Sequence, residues 1–488
     1  MWPFDWLRTT PFGSKRKTRR PRSLVLRGRY DAAVTNAENA RHWANADGLS
    51  ADAAASPSVR RTLRNRARYE VANNSYAKGI VLTIANDCIG TGPRLQLLSG
   101  DDEINRRVED AFARWAKAVD LAGKLRTMRM AKATDGETFA VLTANPLIDS
   151  LVKLDVQLVE ADRVASPVMA ILPIANDIDG IILDAYGNPY SYTILREHPG
   201  DLTAWKVNYD MVAAGAVVHW FRSDRPGQHR GIPEITPALP LFAHYTLAVI
   251  AAAETAADFA AVLFTDAPAN GEAAAVEPMD IVELEKRMAT VLPDGWKLGQ
   301  IKAEQPGTTY GEFKREILNE IARCLNMPFN IAAGNSSGYN YASGRLDHQT
   351  YYKSIRVEQA DCNAVVLDRI LSAWLAEAEL LSEFSFLRGA GELAHQWFWD
   401  GTEHVDPAKE ATAQEKRLKN NTTTLAAEYA RQGKDWETEL HQRAKEKRLM
   451  AELGLANSDA RPGAGEVDEE GETERPASAG REAQRAAA

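Results

Sequence analysis

The spacing of apolar positions changes several times along the chain, and each change marks an expected element. Between Ser58 and Ile89 apolar residues recur at helical spacing, first among Arg60, Arg61, Arg64, Arg66 and Arg68 and then in a mainly apolar run. One or two helices are expected there. Gly90-Thr-Gly-Pro93 breaks the run, and Arg94–Leu98 alternates as a strand does. Asp101 and Asp102 can cap a helix carrying Val108, Phe112, Trp115 and Val119. A second helix extends to about Thr134, where Asp135-Gly136 stops it. From Glu137 to Phe221 the pattern turns β-branched, in the runs Thr138–Thr143, Leu151–Val159, Gly180–Leu183, Tyr190–Leu195 and Ala216–Phe221, separated by Asn-Pro, Gly-Asn-Pro and Pro-Gly breaks. This is a strand-rich α+β region.

The character changes after Arg225-Pro-Gly. Glu234–Phe264 reads as one Ala-rich helix, about 45 Å long at about 1.5 Å per residue. Its alanines leave little side chain, so a neighbouring helix can approach closely. A short α/β stretch follows from Pro268 to about Gln305. Glu312–Leu325 is amphipathic, with Phe313, Ile317, Ile321 and Cys324 on one face, and ends before Pro328. Phe329–Gly344 is a polar loop rich in Gly, Asn, Ser and Tyr. Leu346 to about Glu379 is another long helix, and His395–Trp399 is an aromatic strand candidate. Asp406-Pro407 starts the last helices, which break at Asn420-Asn421 and Gly433 and end at Gly454.

Charge is segregated along the 488 residues. Lys15, Arg16, Lys17, Arg19, Arg20, Arg22, Arg27 and Arg29 face only Asp5 in the first thirty residues, a block expected to form a flexible arm. The last thirty carry Glu466, Asp468, Glu469, Glu470, Glu472 and Glu474 among Gly, Ala and Pro, too little apolar surface to order a tail. The net charge of −9 argues against a generic nucleic-acid binder. Three distant cysteines, Cys88, Cys324 and Cys362, form no metal spacing and are expected to be small buried hydrophobes in a reducing compartment. The longest apolar run, Leu241–Phe264, is interrupted by His244, Glu254 and Asp258, so no membrane span is expected.

Candidate chemistry is sparse. Gly334-Asn-Ser336-Ser-Gly338 is a literal G-x-S-x-G, but a nucleophile elbow needs a strand before it and an apolar helix straight after. Here Tyr339-Asn-Tyr341 follows and Asp347-His348 comes too soon, so a flexible loop is the better reading and a serine hydrolase using Ser336 the alternative. No phosphate loop, dinucleotide fingerprint or metal motif is present, so no catalytic, cofactor or metal residues are assigned and no enzyme is expected. Glu254 and Asp258 lie four apart on one helical face, where like charges repel. That face meets solvent or lines a water-filled passage whose acidic wall keeps a polyanion from sticking. Tyr339, Asn340 and Tyr341 make a loop with polar and stacking groups.

The order of these parts resembles the portal proteins of the lambda family of bacteriophages. The resemblance rests on Asn73–Ile80 with Gly90-Thr-Gly92, on Trp115-Ala116 through Asp135-Gly-Glu137, and on Arg225–Pro233. It continues through Gly338–Arg345 and from Trp399-Asp-Gly401 to Asp406–Glu410. It implies an α+β portal fold in a ring, usually of twelve, at one procapsid vertex around a DNA channel. On that resemblance, which covers roughly residues 58–455, residues 58–232 are the first part of the wing, 233–265 and 307–327 the stem helices, and 266–306 the clip. Residues 328–344 are the channel loop, 345–404 a long helix and the second part of the wing, and 405–455 the crown; the basic arm at 1–57 and the acidic tail at 456–488 are read from charge alone and are not family motifs. DNA-facing candidates are Asn335, Ser336, Tyr339, Asn340, Tyr341 and Arg345, with Glu254 and Asp258 lining the stem channel. The implied partners are other copies of the chain, the terminase large subunit, capsid and scaffold proteins, head-completion proteins and double-stranded DNA. The implied location is the virion vertex, with assembly in the host cytoplasm. A heterologous interface that closes gives such a ring, and a net-acidic wall suits a conduit that guides DNA without holding it.

Overall fold

A computed structural model describes residues 33–37, 39–166, 176–201, 208–257, 260–265, 296–301, 309–338, 340–388, 393–401 and 407–455. The fold mixes helix and sheet, with a principal core that draws on both ends of the described chain.

The chain opens with α1 (Ala51–Ala54), α2 (Pro57–Asn73) and α3 (Ser75–Ile89). Asn74 separates the last two in an extended conformation and accepts from the amides of Tyr76 and Ala77, so of the one or two helices expected here there are two. The flexible arm placed at 1–57 ends earlier than expected. Ser50 caps α1, Ala51 and Ala55 are buried, and Asp52 lies 2.8 Å from His229 and accepts from its backbone amide at 3.0 Å, because small side chains and these hydrogen bonds dock this stretch on the body.

Strand β1 (Arg94–Leu97) precedes α4 (Asp102–Ala118) and α5 (Leu121–Asp135). Asp101 caps α4 through the amides of Glu103 and Ile104, and Val108, Phe112 and Trp115 line its buried face. The sheet region follows: β2 (Glu137–Ala144), β3 (Leu154–Val159), β4 (Asp177–Ile178), β5 (Ile181–Leu183), β6 (Pro189–Leu195), β7 (Tyr209–Ala213) and β8 (Val217–Phe221). β2 pairs antiparallel with β3 on one side and β8 on the other, while β4-β5-β6-β7 form a four-stranded antiparallel sheet. A smaller cluster of Phe139, Val159, Val164, Ile181, Tyr192, Ile194 and Val217 joins the two sheets.

Next come α6 (Leu239–Ala257), β9 (Ala260–Thr265), β10 (Trp296–Ile301) and α7 (Thr309–Arg323). The single helix expected over Glu234–Phe264 is therefore shorter at both ends. Thr236–Ala238 is a 3-10 turn containing Pro237, which leaves the α-helix to begin at Leu239 with Pro240 in its first turn, where a missing N–H costs nothing. At the far end Ala260–Thr265 is a strand, because it pairs residue for residue with Ile301–Trp296, and that ladder overrides the helical preference of alanine. The rest of the expected α/β stretch, 266–295 and 302–308, lies outside the described residues.

The chain continues with α8 (Phe329–Ala333), α9 (Tyr341–Cys362), α10 (Asp368–Ala378) and β11 (His395–Phe398). Asn363–Leu367 is a π-turn, so α9 and α10 form one long, locally underwound helix. β11 pairs antiparallel with β1 across some 300 residues of sequence, Arg94 opposite Phe398. The last helices are α11 (Pro407–Lys419), α12 (Leu425–Arg431) and α13 (Trp436–Glu452), broken where Asn421 and Gly433 adopt positive φ. Among the described residues no helix is long and apolar enough to cross a membrane.

Candidate functional site

Arginines 60, 64 and 68 recur every four residues on α2 and therefore share one face. That face turns inward. Arg64 Nη1 reaches Glu137 Oε1 at 3.3 Å and its Nη2 reaches Asp162 at 3.0 Å. Arg68 holds Asp135 at 2.7 Å and Asp162 at 2.8 Å, and Arg60 pairs with Asp179. Arg230 completes the hub, donating from Nη2 and Nε to Glu137 Oε1 at 2.7 and 3.0 Å and from Nη1 to the Val164 carbonyl. Four arginines thus face four carboxylates, a neutral set, which is the condition for keeping charges out of water.

Glu137 is the centre, with its side chain wholly buried. Burial alone would raise its carboxyl, but Arg230, with His219 and the hydrogen bonds they donate, holds it far below the usual carboxylate range. Its Oε2 also accepts from the Gly231 amide at 2.9 Å and from His219 Nε2 at 3.2 Å. Burial lowers the imidazole of His219, stacked between Phe139 and Phe221, despite the pull of Glu137, so the ring is neutral. Backbone approach is as close as side-chain contact. Gly136 has φ +89°, and any β-carbon there would press into Ile232 and Pro233; at Gly231 it would press into the Gly136 carbonyl. The segments Asp135-Gly-Glu137 and Arg225–Pro233, far apart in sequence, therefore form one joint.

A second buried set ties α5 to the entry of α6 and to α9. Arg129 on α5 reaches Glu234 at 2.9 Å and Glu358 at 3.4 Å, while Lys132 reaches Glu358 at 2.9 Å and sits over the Trp220 ring. Trp220 Nε1 donates to Asp361 at 2.7 Å. Burial would raise the Glu234 carboxyl, but Arg129 and Lys132 hold it low. Glu234 immediately precedes the turn into α6, and Glu358 and Asp361 lie on α9. Leu239 and Phe242 at the start of α6 are buried, as are Leu318, Ile321 and Ala322 toward the end of α7. The helices are thus antiparallel, rooted in the body at one end, with Lys314 over the Tyr245 ring between them.

A third joint ties the ends together. Asp400 accepts from the Thr91 amide and hydroxyl at 2.5 and 2.7 Å and from Arg94 at 3.2 Å, while Arg94 also donates to the Gly433 carbonyl. Gly90-Thr-Gly92 and Trp399-Asp-Gly401 meet here. Nearby, Glu109 accepts from the Leu97 amide at 2.6 Å, and burial, with Asp435, Asp110 and Glu437 around it, pushes its carboxyl up to about 7.

The expected loop of residues 328–344 is partly helical. Pro328 leads into α8, Gly334 terminates it with φ +60°, and α9 already begins at Tyr341. What remains is a seven-residue connection, 334–340. Its Asn335 side chain accepts from the Ser337 amide at 2.9 Å, and Asn335, Ser336 and Asn340 are exposed, as is Arg345 in the second turn of α9. Tyr339 and Asp258 lie outside the described residues; Glu254 and Tyr341 fall in helices whose side chains there are not described. Ser336 follows a helix rather than a strand, and His348 Nε2 is 2.9 Å from the Asn330 amide nitrogen, so the loop lacks the strand–turn–helix setting of a nucleophile elbow. Among the described residues no cluster of three or more His, Cys, Asp or Glu side chains is placed to hold a metal. Cys88 and Cys362 are buried and Cys324 half-buried.

The sequence shows the arginines as a basic start to the helix but not that they turn inward, because their partners come from residues 135–179. The described residues thus present two buried charge clusters, a more exposed joint at Asp400, an antiparallel helix pair rooted in the body and a short polar connection. The model for the lambda family of phage portal proteins matches residues 37–359, and the chain belongs to that family. It is 25% identical over 435 residues to a probable portal protein of Halomonas phage phiHAP-1, covering 81% of this chain and 82% of that protein. Among solved structures it is similar to a chain from the neck of a native GTA particle computed with C12 symmetry, at 13% identity and TM-score 0.47, covering 78% of this chain and 94% of that one. It is also similar to an HK97-family phage portal protein from Corynebacterium diphtheriae, at 14% identity and TM-score 0.28, covering 63% and 86%.

Proposed function

We propose that copies of this chain, twelve in number, close into a ring at one capsid vertex and form the channel through which double-stranded DNA is packaged and ejected. The family match across residues 37–359 carries this reading, since it spans the sheet region, α6, α7 and most of α9. In this reading α6 and α7 are the stem, the segment between them the clip that meets the terminase large subunit and later the head-completion proteins, and residues 328–344, with the connection 334–340 at their centre, the loop at the channel. The wing faces the capsid and scaffold proteins, and α11–α13 form the crown. The exposed amides and hydroxyl of Asn335, Ser336 and Asn340 suit transient contact with a moving duplex, and Tyr339, Tyr341 and Arg345 are the further candidates in this stretch of sequence. Glu254 and Asp258 would face the passage and repel phosphate, so that DNA slides rather than sticks.

Electron microscopy of the purified full chain tests the ring: closed particles with a central channel are expected, and stable monomers at high concentration overturn the reading. Removing Ser336–Ala342 is expected to spare ring assembly while impairing packaging or retention of DNA, and normal DNA-filled heads would count against the loop assignment. Energy for packaging would come from the terminase, so the purified ring should not hydrolyse ATP.

A further inference from the structure

Among the described residues, the joints leave Arg61 and Arg66 of α2 exposed without an ion pair, and Glu312, Glu316 and Glu320 of α7 likewise. Arg66 is exposed and makes no ion pair. It lines a groove of about 460 Å³ with Asn65, Tyr69 and Glu70 of α2 and Leu239, Pro240 and Ala243 of α6. Pro240, Ala243, Leu247 and Ile250 recur at helical spacing, so the groove continues outward along α6 as an apolar stripe. Leu247 is 63% exposed, Ile250 47% and Tyr69 65%, a run of bare apolar surface that a soluble monomer has no reason to keep. Glu70 shares the wall, but its carboxyl is partly buried and raised by that burial.

The outer face of α7 is the counterpart. Phe313, Glu316 and Glu320 share one side at spacings of three and four; Phe313 is 51% exposed, and both glutamates are exposed without an ion pair. Glu312 adds a third carboxylate at the rim, and Arg323 is the single cation on that face. The two surfaces also match in level. Lys314 lies over Tyr245, so Phe313 stands about level with Leu247. Glu320, six residues further into the body, is about 9 Å lower at about 1.5 Å per residue, level with Leu239 and the Arg66 end of the groove.

We infer that the α2–α6 groove of one subunit receives the outer face of α7 from its neighbour, Phe313 against Leu247 and Ile250 and Glu316 and Glu320 against Arg66. The contact joins different faces of identical chains and is therefore heterologous, the kind that propagates head to tail. In a ring whose axis runs along the helix pair, neighbours sit at equal height, so apolar meets apolar and acid meets base with no vertical shift. The inference rests on the ring reading and adds to it the two surfaces that close the ring.

The test uses charge reversal in the full chain, read by mass photometry and electron microscopy. Arg66→Glu alone, and Glu316→Arg with Glu320→Arg alone, are each expected to cut ring yield at least tenfold, by placing like charges opposite each other. Mixed one to one they should regain rings, because an alternating ring restores an opposite-charge pair at every contact. Circular dichroism of both variants should show the helix content of wild type, since the altered groups are exposed. Single variants that form rings as wild type does, or folded variants whose mixture stays unassembled, overturn the interface while leaving the ring reading intact. Wild-type chains that never form rings overturn the ring reading and the interface with it.

Discussion

The body and the helix pair treat charge in opposite ways. Around Glu137, acids and bases are buried, matched one to one and tied to backbone carbonyls and amides. On α7 the carboxylates of Glu316 and Glu320 stand in solvent beside exposed Phe313, and on α6 Leu247 and Ile250 are bare. A buried neutral cluster adds little net stability over an apolar core of the same shape, but it penalises every wrong arrangement heavily. It therefore suits a joint between segments that are remote in sequence. Unpaired charge and bare apolar surface suit a region whose partner lies on another chain. With the proposed interface, the contrast separates what a single chain completes from what it leaves for assembly.

The strongest way to break that contrast is to unbalance the hub. Glu137→Ala strands Arg230 and Arg64 in the interior and should cost about 3–5 kcal/mol. Denaturant unfolding would measure it, and a loss below about 1 kcal/mol would show that the hub is not the joint described. The depressed carboxyl of Glu137 sets the sign with pH: its contribution is full above the unfolded-state value near 4.3 and fades only as pH falls toward the much lower folded value. The gap between wild type and variant should accordingly persist from pH 8 to about pH 4.

Gly231→Ala attacks the same joint through the backbone, where the new methyl meets the Gly136 carbonyl; a loss of about 1–3 kcal/mol is expected by the same measurement. Unchanged stability would mean that the two segments can part without cost. Glu109→Gln sharpens the comparison at a third site. Glu109 has a raised carboxyl, so burying its charge opposes folding above about pH 7, and that penalty disappears as pH falls toward 4.3. The amide can still accept from Leu97. The variant should be the more stable by about 1 kcal/mol or less at pH 8, after solvent screening, with the difference closing by pH 5. A difference that widened in acid would reverse the assignment. Smallest of all, Ser336→Ala on the exposed connection should change stability by less than about 0.5 kcal/mol and leave ring assembly intact. An esterase activity abolished by that change would restore the hydrolase alternative.

Local pattern made much of this fold legible. The apolar period of α4 and α7, the cap at Asp101, five of the strands of the sheet region and the breaks at Asn421 and Gly433 all depend on neighbours within a turn or two, and the chain carries that information directly; β4 and β7 lay outside the expected runs. The order of short motifs pointed to the family as well. Where pattern misled, a distant partner was responsible. Ala260–Thr265 has a helical composition and is a strand because Trp296–Ile301 lies beside it. Residues 51–55 belong to a stretch that reads as a loose arm, yet they pack because His229 and the body receive them.

The candidate sites divide in the same way. Asn335, Ser336, Asn340 and Arg345 were recognisable as exposed groups because glycine and asparagine punctuate the backbone around them. The arginines of α2 looked alike as a run of letters, but folding sorts them: Arg60, Arg64 and Arg68 go inward to partners drawn from residues 135 to 179, and Arg66 goes outward. Their spacing of four places three of them on one face, but a face has no inside until something packs against it. Helix period, turns and caps follow from short-range sterics and hydrogen bonding, which the order of residues carries. Which charges are buried and which are left for a neighbour depends on long-range packing, and only the folded chain makes that choice.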